Sequence, residues 1–114
     1  MITIEKLNTF GANTAEGLAR CFGNEALYLK LVATIPGEAN FDKLKDSIAA
    51  KEKKNAFEAA HALKGVLGNL SLTPIYTPIV EITELLRSES DINYKSLLDT
   101  ILEKKDELGK LCAD

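Results

Sequence analysis

The chain has 114 residues, a formal net charge of −3, 46% hydrophobic residues and no tryptophan. This length predicts one domain covering residues 1–114, with a core of Leu, Ile, Val and Ala, a composition that favours helices. The mixed charges argue against a nucleic-acid-binding protein, and no apolar run reaches the roughly 18 residues that would cross a membrane.

Helical periodicity extends over nearly the whole first half of the chain. Asn24 is a good N-cap residue for a helix that ends before Pro36, because the residue preceding a proline disfavours the α-helical conformation. Lys51 opens a charged corner that continues to residue 55. The predicted helical segments before this corner are residues 4–10, residues 14–21, a helix that follows Asn24, and one that begins at Asn40 or Phe41.

Longer helices are predicted for the second half of the chain. The first covers about residues 56–70, and a turn at residues 71–73 follows it. The next begins at Thr73-Pro74 or at Thr77-Pro78, since both pairs resemble a cap followed by proline at the first helical position. In the first case Pro78 would kink the helix. After a polar turn at residues 88–91, the last helix carries the apolar residues Leu97, Leu98, Ile101, Leu102, Leu108 and Leu111.

The predicted fold class is all-α. Short connections make successive helices antiparallel neighbours, which favours an antiparallel up-down four-helix bundle with an additional short N-terminal helix. The two cysteines, Cys21 and Cys112, lie far apart in the sequence and lack the spacing of a metal or redox site, so we expect reduced thiols in a cytoplasmic protein. The N-terminus lacks a signal-peptide pattern.

The only histidine, His61, lies near the middle of the helix predicted for residues 56–70. With about 100° of rotation per residue, one side of this helix carries His61 and the opposite side is apolar. The His61 side also carries Phe57, Glu58, Lys64, Gly65 and Gly68. The apolar side carries Ala59, Leu63, Val66 and Leu70, flanked by Ala56 and Leu67. The core face is therefore complete without His61, and we expect its ring to be exposed.

Two glycines beside an exposed histidine need a reason, because each costs about 0.8–1 kcal/mol relative to alanine inside a helix. At Gly65 and Gly68 the missing side chains would open the imidazole to a bulky group or to the backbone of another protein. Lys64 can place a positive charge beside a group bound to the ring. A solvated imidazole near a lysine is mostly neutral at pH 7 and hence nucleophilic. These features fit a histidine that accepts and passes on a phosphoryl group.

The run His61-Ala62-Leu63-Lys64-Gly65, preceded by Ala59-Ala60 and followed by Gly68-Asn69-Leu70, resembles the signature of histidine-containing phosphotransfer (HPt) domains. The Phe22-Gly23-Asn24 turn, followed by an acidic and apolar helix, is also similar to that family. The resemblance covers about residues 18–111. The chain departs from the family at Ser71, where members usually have glycine, and Pro78 within the next helix is unusual.

The resemblance implies a four-helix bundle in which His61 is phosphorylated by the aspartyl-phosphate of a response-regulator receiver domain and passes the group to another receiver. A hybrid sensor histidine kinase is a further implied partner. Lys64 would neutralise the phosphate, and Gly65 and Gly68 would permit in-line approach. The family has no metal or other cofactor of its own, and the magnesium belongs to the receiver. The protein would be a phosphoryl carrier rather than an enzyme, and we expect a monomer.

Three neighbouring residues have two readings each. Phe57 either contacts a docking partner or folds against the adjacent helix. Glu58 is a possible docking contact or an ordinary solvated residue. Asn69 either supports the site or is a polar residue at the helix end. Two alternatives to the carrier also stay open: an interaction module of the same fold without phosphotransfer, and the phospho-accepting domain of a histidine kinase cut from a longer chain. A self-sufficient enzyme is the least supported, since paired carboxylates and a glycine-rich phosphate loop are missing.

Overall fold

The structure, a computed structural model, describes residues 1–113. These residues form an all-helical protein, and no β-strand occurs among them, so the predicted all-α class is confirmed. The helices are α1 Ile4–Phe10, α2 Thr14–Arg20, α3 Glu25–Thr34, α4 Ala39–Ala49, α5 Lys53–Asn69, α6 Thr73–Arg87 and α7 Lys95–Ala113, with a 3₁₀ turn at Ile35–Gly37.

Side-chain caps begin the N-terminal helices. The side chain of Thr3 accepts a hydrogen bond from the Lys6 N–H at 3.1 Å and caps α1. The predicted cap at Asn24 is confirmed, because its side-chain oxygen accepts from the Leu27 N–H at 3.0 Å and begins α3. Gly11 ends α1 with φ of 106°, a left-handed conformation that glycine adopts without steric cost.

The start of α5 differs from the prediction. The helix begins at Lys53 rather than near Ala56, so the charged corner is shorter than expected. Basic residues in the first turn of a helix oppose the helix dipole, which disfavours a start at this position. Contacts from the α6–α7 connection offset this cost: the Lys53 ammonium donates to the Glu89 carbonyl at 3.2 Å and lies 3.8 Å from the Asp91 carboxylate.

The α6 helix begins at the first of its two possible positions. Thr73 is its first residue, and Pro74 follows within the first turn, where a missing N–H has no consequence. Leu72, rather than Thr73, occupies the cap position, and its side chain makes no capping hydrogen bond. Pro78 lies inside the helix and is buried.

The core lies between consecutive helices. Helix α5 packs against both α4 and α6, and α6 packs against α7, which also contacts the 3₁₀ turn. One cluster of buried side chains joins these elements, and its members include Leu44, Leu63, Leu67, Ile79, Ile82 and Ile101.

Two further findings concern membrane spans and cysteines. None of the helices within residues 1–113 combines the length and apolar character that a transmembrane segment needs. Cys21 is buried and Cys112 half-buried, and both are free thiols, as predicted.

Candidate functional site

His61 is the central residue of α5, and its exposed side chain lies on the side of the helix that faces away from the core. Neither nitrogen of its ring has a hydrogen-bond partner within residues 1–113. Both nitrogens are therefore open to solvent or to a reacting group. The buried residues of α5 and its cap are Ala56, Ala59, Ala60, Leu63, Leu67 and Leu70.

One predicted core position of α5 is wrong. Val66 is 38% exposed, whereas Ala60 is fully buried. On a helical wheel with about 100° per residue, the mean direction of the buried residues differs by roughly 30° from the direction opposite His61. The difference is toward Ala60. This rotation leaves Val66 at the edge of the core face. The neighbours α4 and α6 decide the rotation, since both cover α5.

A groove of about 610 Å³ runs beside the His61 ring. It is bordered by α2, α5 and α6, and its α5 wall contains the set that the sequence grouped with the histidine: Lys64, Gly65, Gly68 and Asn69. The remaining lining residues come from elements that the sequence did not connect with the site: Asn13, Glu16, Arg20, Ser71, Thr73, Tyr76 and Thr77.

Lys64 supplies uncompensated positive charge to this groove. Its side chain is half-buried, and no carboxylate within residues 1–113 lies at ion-pair distance from its ammonium group. Glu58, by contrast, is turned toward α4 and lies 3.6 Å from the ammonium of Lys43. Glu58 is exposed and does not line the groove.

Phe57 lies one helical turn before His61, and its half-buried ring stacks on the imidazole. The guanidinium of Arg87, near the end of α6, lies 5.1 Å from the centre of the same phenyl ring. The phenyl ring thus contacts α6, as one of the two interpretations predicted, and is still partly accessible.

The two glycines of α5 have different surroundings. A Cβ atom added at Gly65 would meet nothing within 4 Å, whereas one added at Gly68 would lie 3.0 Å from Cε1 of Tyr76. Close packing of the Tyr76 ring thus accounts for Gly68 within the chain itself. Packing offers no such reason for Gly65, where the space beside the helix is open.

Glu16 organises the wall of the groove opposite α5. Its Oε1 accepts hydrogen bonds from Nε and Nη2 of Arg20, both at 3.3 Å, and from the Ser71 hydroxyl at 3.0 Å. Its Oε2 accepts from the side-chain amide of Asn13 at 3.4 Å. The i,i+4 spacing of Glu16 and Arg20 is visible in the sequence, but nothing local indicates that α2 borders the histidine.

Ser71 occupies a position that favours glycine. Its φ is 53°, in the left-handed region, and its side chain is buried. The backbone carbonyl of Ser71 accepts from the Asn13 N–H at 3.0 Å, while its hydroxyl bonds Glu16. Ser71 therefore keeps the left-handed turn and adds a link between α2 and the end of α5.

Tyr28 of α3 supports the same end of α5. Its hydroxyl donates to the Leu70 carbonyl at 2.9 Å, and its side chain is fully buried. Burial, with a smaller effect of the nearby Cys21 thiol, raises the pKa of Tyr28 to about 12. Gly17 makes room for this ring, because an added Cβ would lie 2.5 Å from Cε1 of Tyr28.

No group of three or more His, Cys, Asp or Glu residues within residues 1–113 is arranged to hold a metal ion. No protein-family model, curated protein or solved structure is significantly similar to this chain.

Proposed function

We propose that this protein is a phosphoryl carrier of the histidine-containing phosphotransfer type, with His61 as the residue that is phosphorylated. The observation that carries this proposal is the surroundings of the ring. An exposed imidazole without a hydrogen-bond partner in the described residues borders a groove that also contains Lys64, which has no ion-pair partner among them, and the open face of Gly65. A nucleophile, a neutralising cation and free access are what phosphoryl transfer needs.

The proposed architecture is an up-down four-helix bundle of α4 to α7, with α1 to α3 added at its N-terminal side. Contacts between successive helices support it, since α4 packs on α5, α5 on α6 and α6 on α7. Short connections support it too, because residues 50–52 join α4 to α5 and residues 70–72 join α5 to α6.

In the transfer reaction, a lone pair on an unprotonated ring nitrogen of His61 attacks the phosphorus of an aspartyl phosphate on the receiver. A P–N bond forms while the bond from phosphorus to the aspartate oxygen breaks, and the aspartate leaves as a carboxylate. The other ring nitrogen keeps its hydrogen. Lys64 balances part of the phosphoryl charge throughout, and the reverse sequence delivers the group to a second receiver.

The proposed partners are response-regulator receiver domains and a hybrid sensor histidine kinase, in the cytoplasm. The carrier itself acts as a monomer and holds no cofactor, while the receiver supplies magnesium and the catalytic carboxylates. Phe57, which stacks on the His61 ring, and the exposed Glu58 are proposed docking contacts, and Asn69 lines the groove beyond Gly68.

The test is incubation of the protein with a ³²P-phosphorylated receiver domain and magnesium. We expect label that is labile in acid and stable in base on the wild type, and none on His61→Gln. Lys64→Gln should still be labelled, but more slowly. Labelling that survives His61→Gln would disprove the site. Absence of label on the folded wild type with a panel of receivers would favour an interaction module without phosphotransfer.

A further inference from the structure

We propose that Arg20 of α2 is a second phosphate-binding cation of the His61 groove, which Glu16 holds in the unphosphorylated protein and releases to the phosphoryl group. This inference rests on the proposed function. It assigns a role to α2, an element outside the segment that carries the motif.

Arg20 is the last residue of α2 and lines the groove together with His61 and Lys64. Its side chain is 52% exposed, so it is free to change rotamer. Both of its hydrogen bonds go to a single oxygen of Glu16, each at 3.3 Å. Nη1 has no partner within residues 1–113. This pairing lacks the two-oxygen geometry that makes arginine–carboxylate contacts strong.

Glu16 does not depend on Arg20 for its hydrogen bonds. If the guanidinium leaves, Oε1 still accepts from the Ser71 hydroxyl and Oε2 from the amide of Asn13. The carboxylate is therefore held in place with or without its cation. Exposed ion pairs of this kind contribute little to stability, so the release of Arg20 is energetically easy.

A phosphoryl group on His61 would add roughly two negative charges to the groove at neutral pH. Lys64 alone can balance one of them. Arg20 is the other cation that lines the groove within residues 1–113. Its planar guanidinium presents several donors that match phosphate oxygens better than an ammonium does. Arg87 is engaged elsewhere, over the Phe57 ring and 3.4 Å from Glu84.

The consequence is a change of partner on phosphorylation. In the resting protein Glu16 neutralises Arg20, and the free positive charge of the groove is that of Lys64. In the phosphorylated protein the dianionic phosphoryl group outcompetes Glu16 for Arg20, because Glu16 carries a single charge and binds Arg20 through one oxygen. The exchange would stabilise phosphohistidine relative to the aspartyl phosphate of the receiver.

The experiment measures the equilibrium distribution of ³²P between His61 and a receiver domain in the presence of magnesium. We expect Arg20→Ala to lower the ratio of phosphohistidine to aspartyl phosphate by about threefold to tenfold, the range of one partly exposed charge-assisted hydrogen bond. Arg20→Lys should recover part of the loss. Glu16→Gln should leave the ratio unchanged or raise it, because it frees Arg20. Lys30→Ala, which removes an exposed cation of α3 away from the groove, is the matched control.

A docking contact alone would change the rate of transfer without changing this equilibrium. NMR of the arginine Nε–H groups gives an independent signal, since the Arg20 resonance should shift on phosphorylation of the wild type. An Arg20→Ala ratio equal to that of Lys30→Ala would overturn the inference. So would a Glu16→Gln ratio as low as that of Arg20→Ala, which would indicate a purely structural pair. Failure to label His61 in the wild type would instead refute the proposed function.

Discussion

The ring of Phe57 lies 5.7 Å from the ring of His61, centre to centre, with 19° between their planes. The two residues are one helical turn apart, and Arg87 of α6 contacts the same phenyl ring at 5.1 Å. The phenyl group therefore links the imidazole to a neighbouring helix. Such a stack restricts the orientation of an otherwise exposed side chain, which matters if a ring nitrogen must meet an incoming phosphorus atom in line.

Removal of this stack should slow phosphotransfer. We expect Phe57→Leu to lower the transfer rate by about threefold to tenfold, because the imidazole would sample more rotamers. The matched control is Phe57→Tyr, which keeps the aromatic face and should retain the rate. Rapid-quench labelling measures both. Equal rates for Phe57→Leu and the wild type would show that the stack does not position the histidine.

Gly65→Ala should separate stability from function. The structure has open space at this position, so alanine should stabilise the helix by about 0.8–1 kcal/mol. We expect the same methyl group to slow transfer by crowding the approach to His61, and Gly65→Leu to block it while the protein stays folded. Urea unfolding and labelling test the two effects. An alanine variant that is more stable and equally fast would refute the clearance argument.

Gly68→Ala should be less stable than Gly65→Ala. The added Cβ would lie 3.0 Å from Cε1 of Tyr76, so the gain in helix propensity is offset by displacement of the ring. Placing both glycine variants in a Tyr76→Leu background should remove most of the difference between them. If the difference persists in that background, the Tyr76 ring is not its cause.

Ser71→Gly and Ser71→Ala should differ in stability although both lose the hydroxyl bond to Glu16. Glycine adopts the observed φ of 53° freely, whereas alanine does not. We expect Ser71→Ala to be less stable than Ser71→Gly by about 1 kcal/mol. Chemical denaturation decides this, and equal midpoints would argue against the left-handed conformation.

Tyr28 should make stability depend on alkaline pH. Its pKa in the folded protein, about 12, lies above the ordinary value of 10.0, so the folded state holds the phenolic proton more tightly than the unfolded state does. The free energy of unfolding should therefore be unaffected by this titration below pH 10 and fall by about 2–3 kcal/mol as the pH rises toward 12. Tyr28→Phe should cost about 1 kcal/mol at pH 7, through loss of the bond to Leu70. The wild type should then lose its advantage and become less stable than the variant between pH 10 and 12, and a constant difference in stability would contradict the pKa shift.

The sequence by itself determined the features that depend on local interactions. The cap at Asn24, the exposure of His61 and the apolar side of α5 follow from helix geometry and side-chain chemistry within a few residues. The grouping of Lys64 and Gly65 with His61 follows from the same periodicity.

The tertiary structure alone decided the features that depend on distant segments. Lys53 begins α5 against the helix dipole because of contacts near residue 90, and Val66 is exposed because α4 and α6 set the rotation of the helix. The proximity of α2 to the groove, and with it the position of Arg20, has no local signal. Packing between segments separated by tens of residues is a collective property of the core, and no periodic pattern within one helix encodes it.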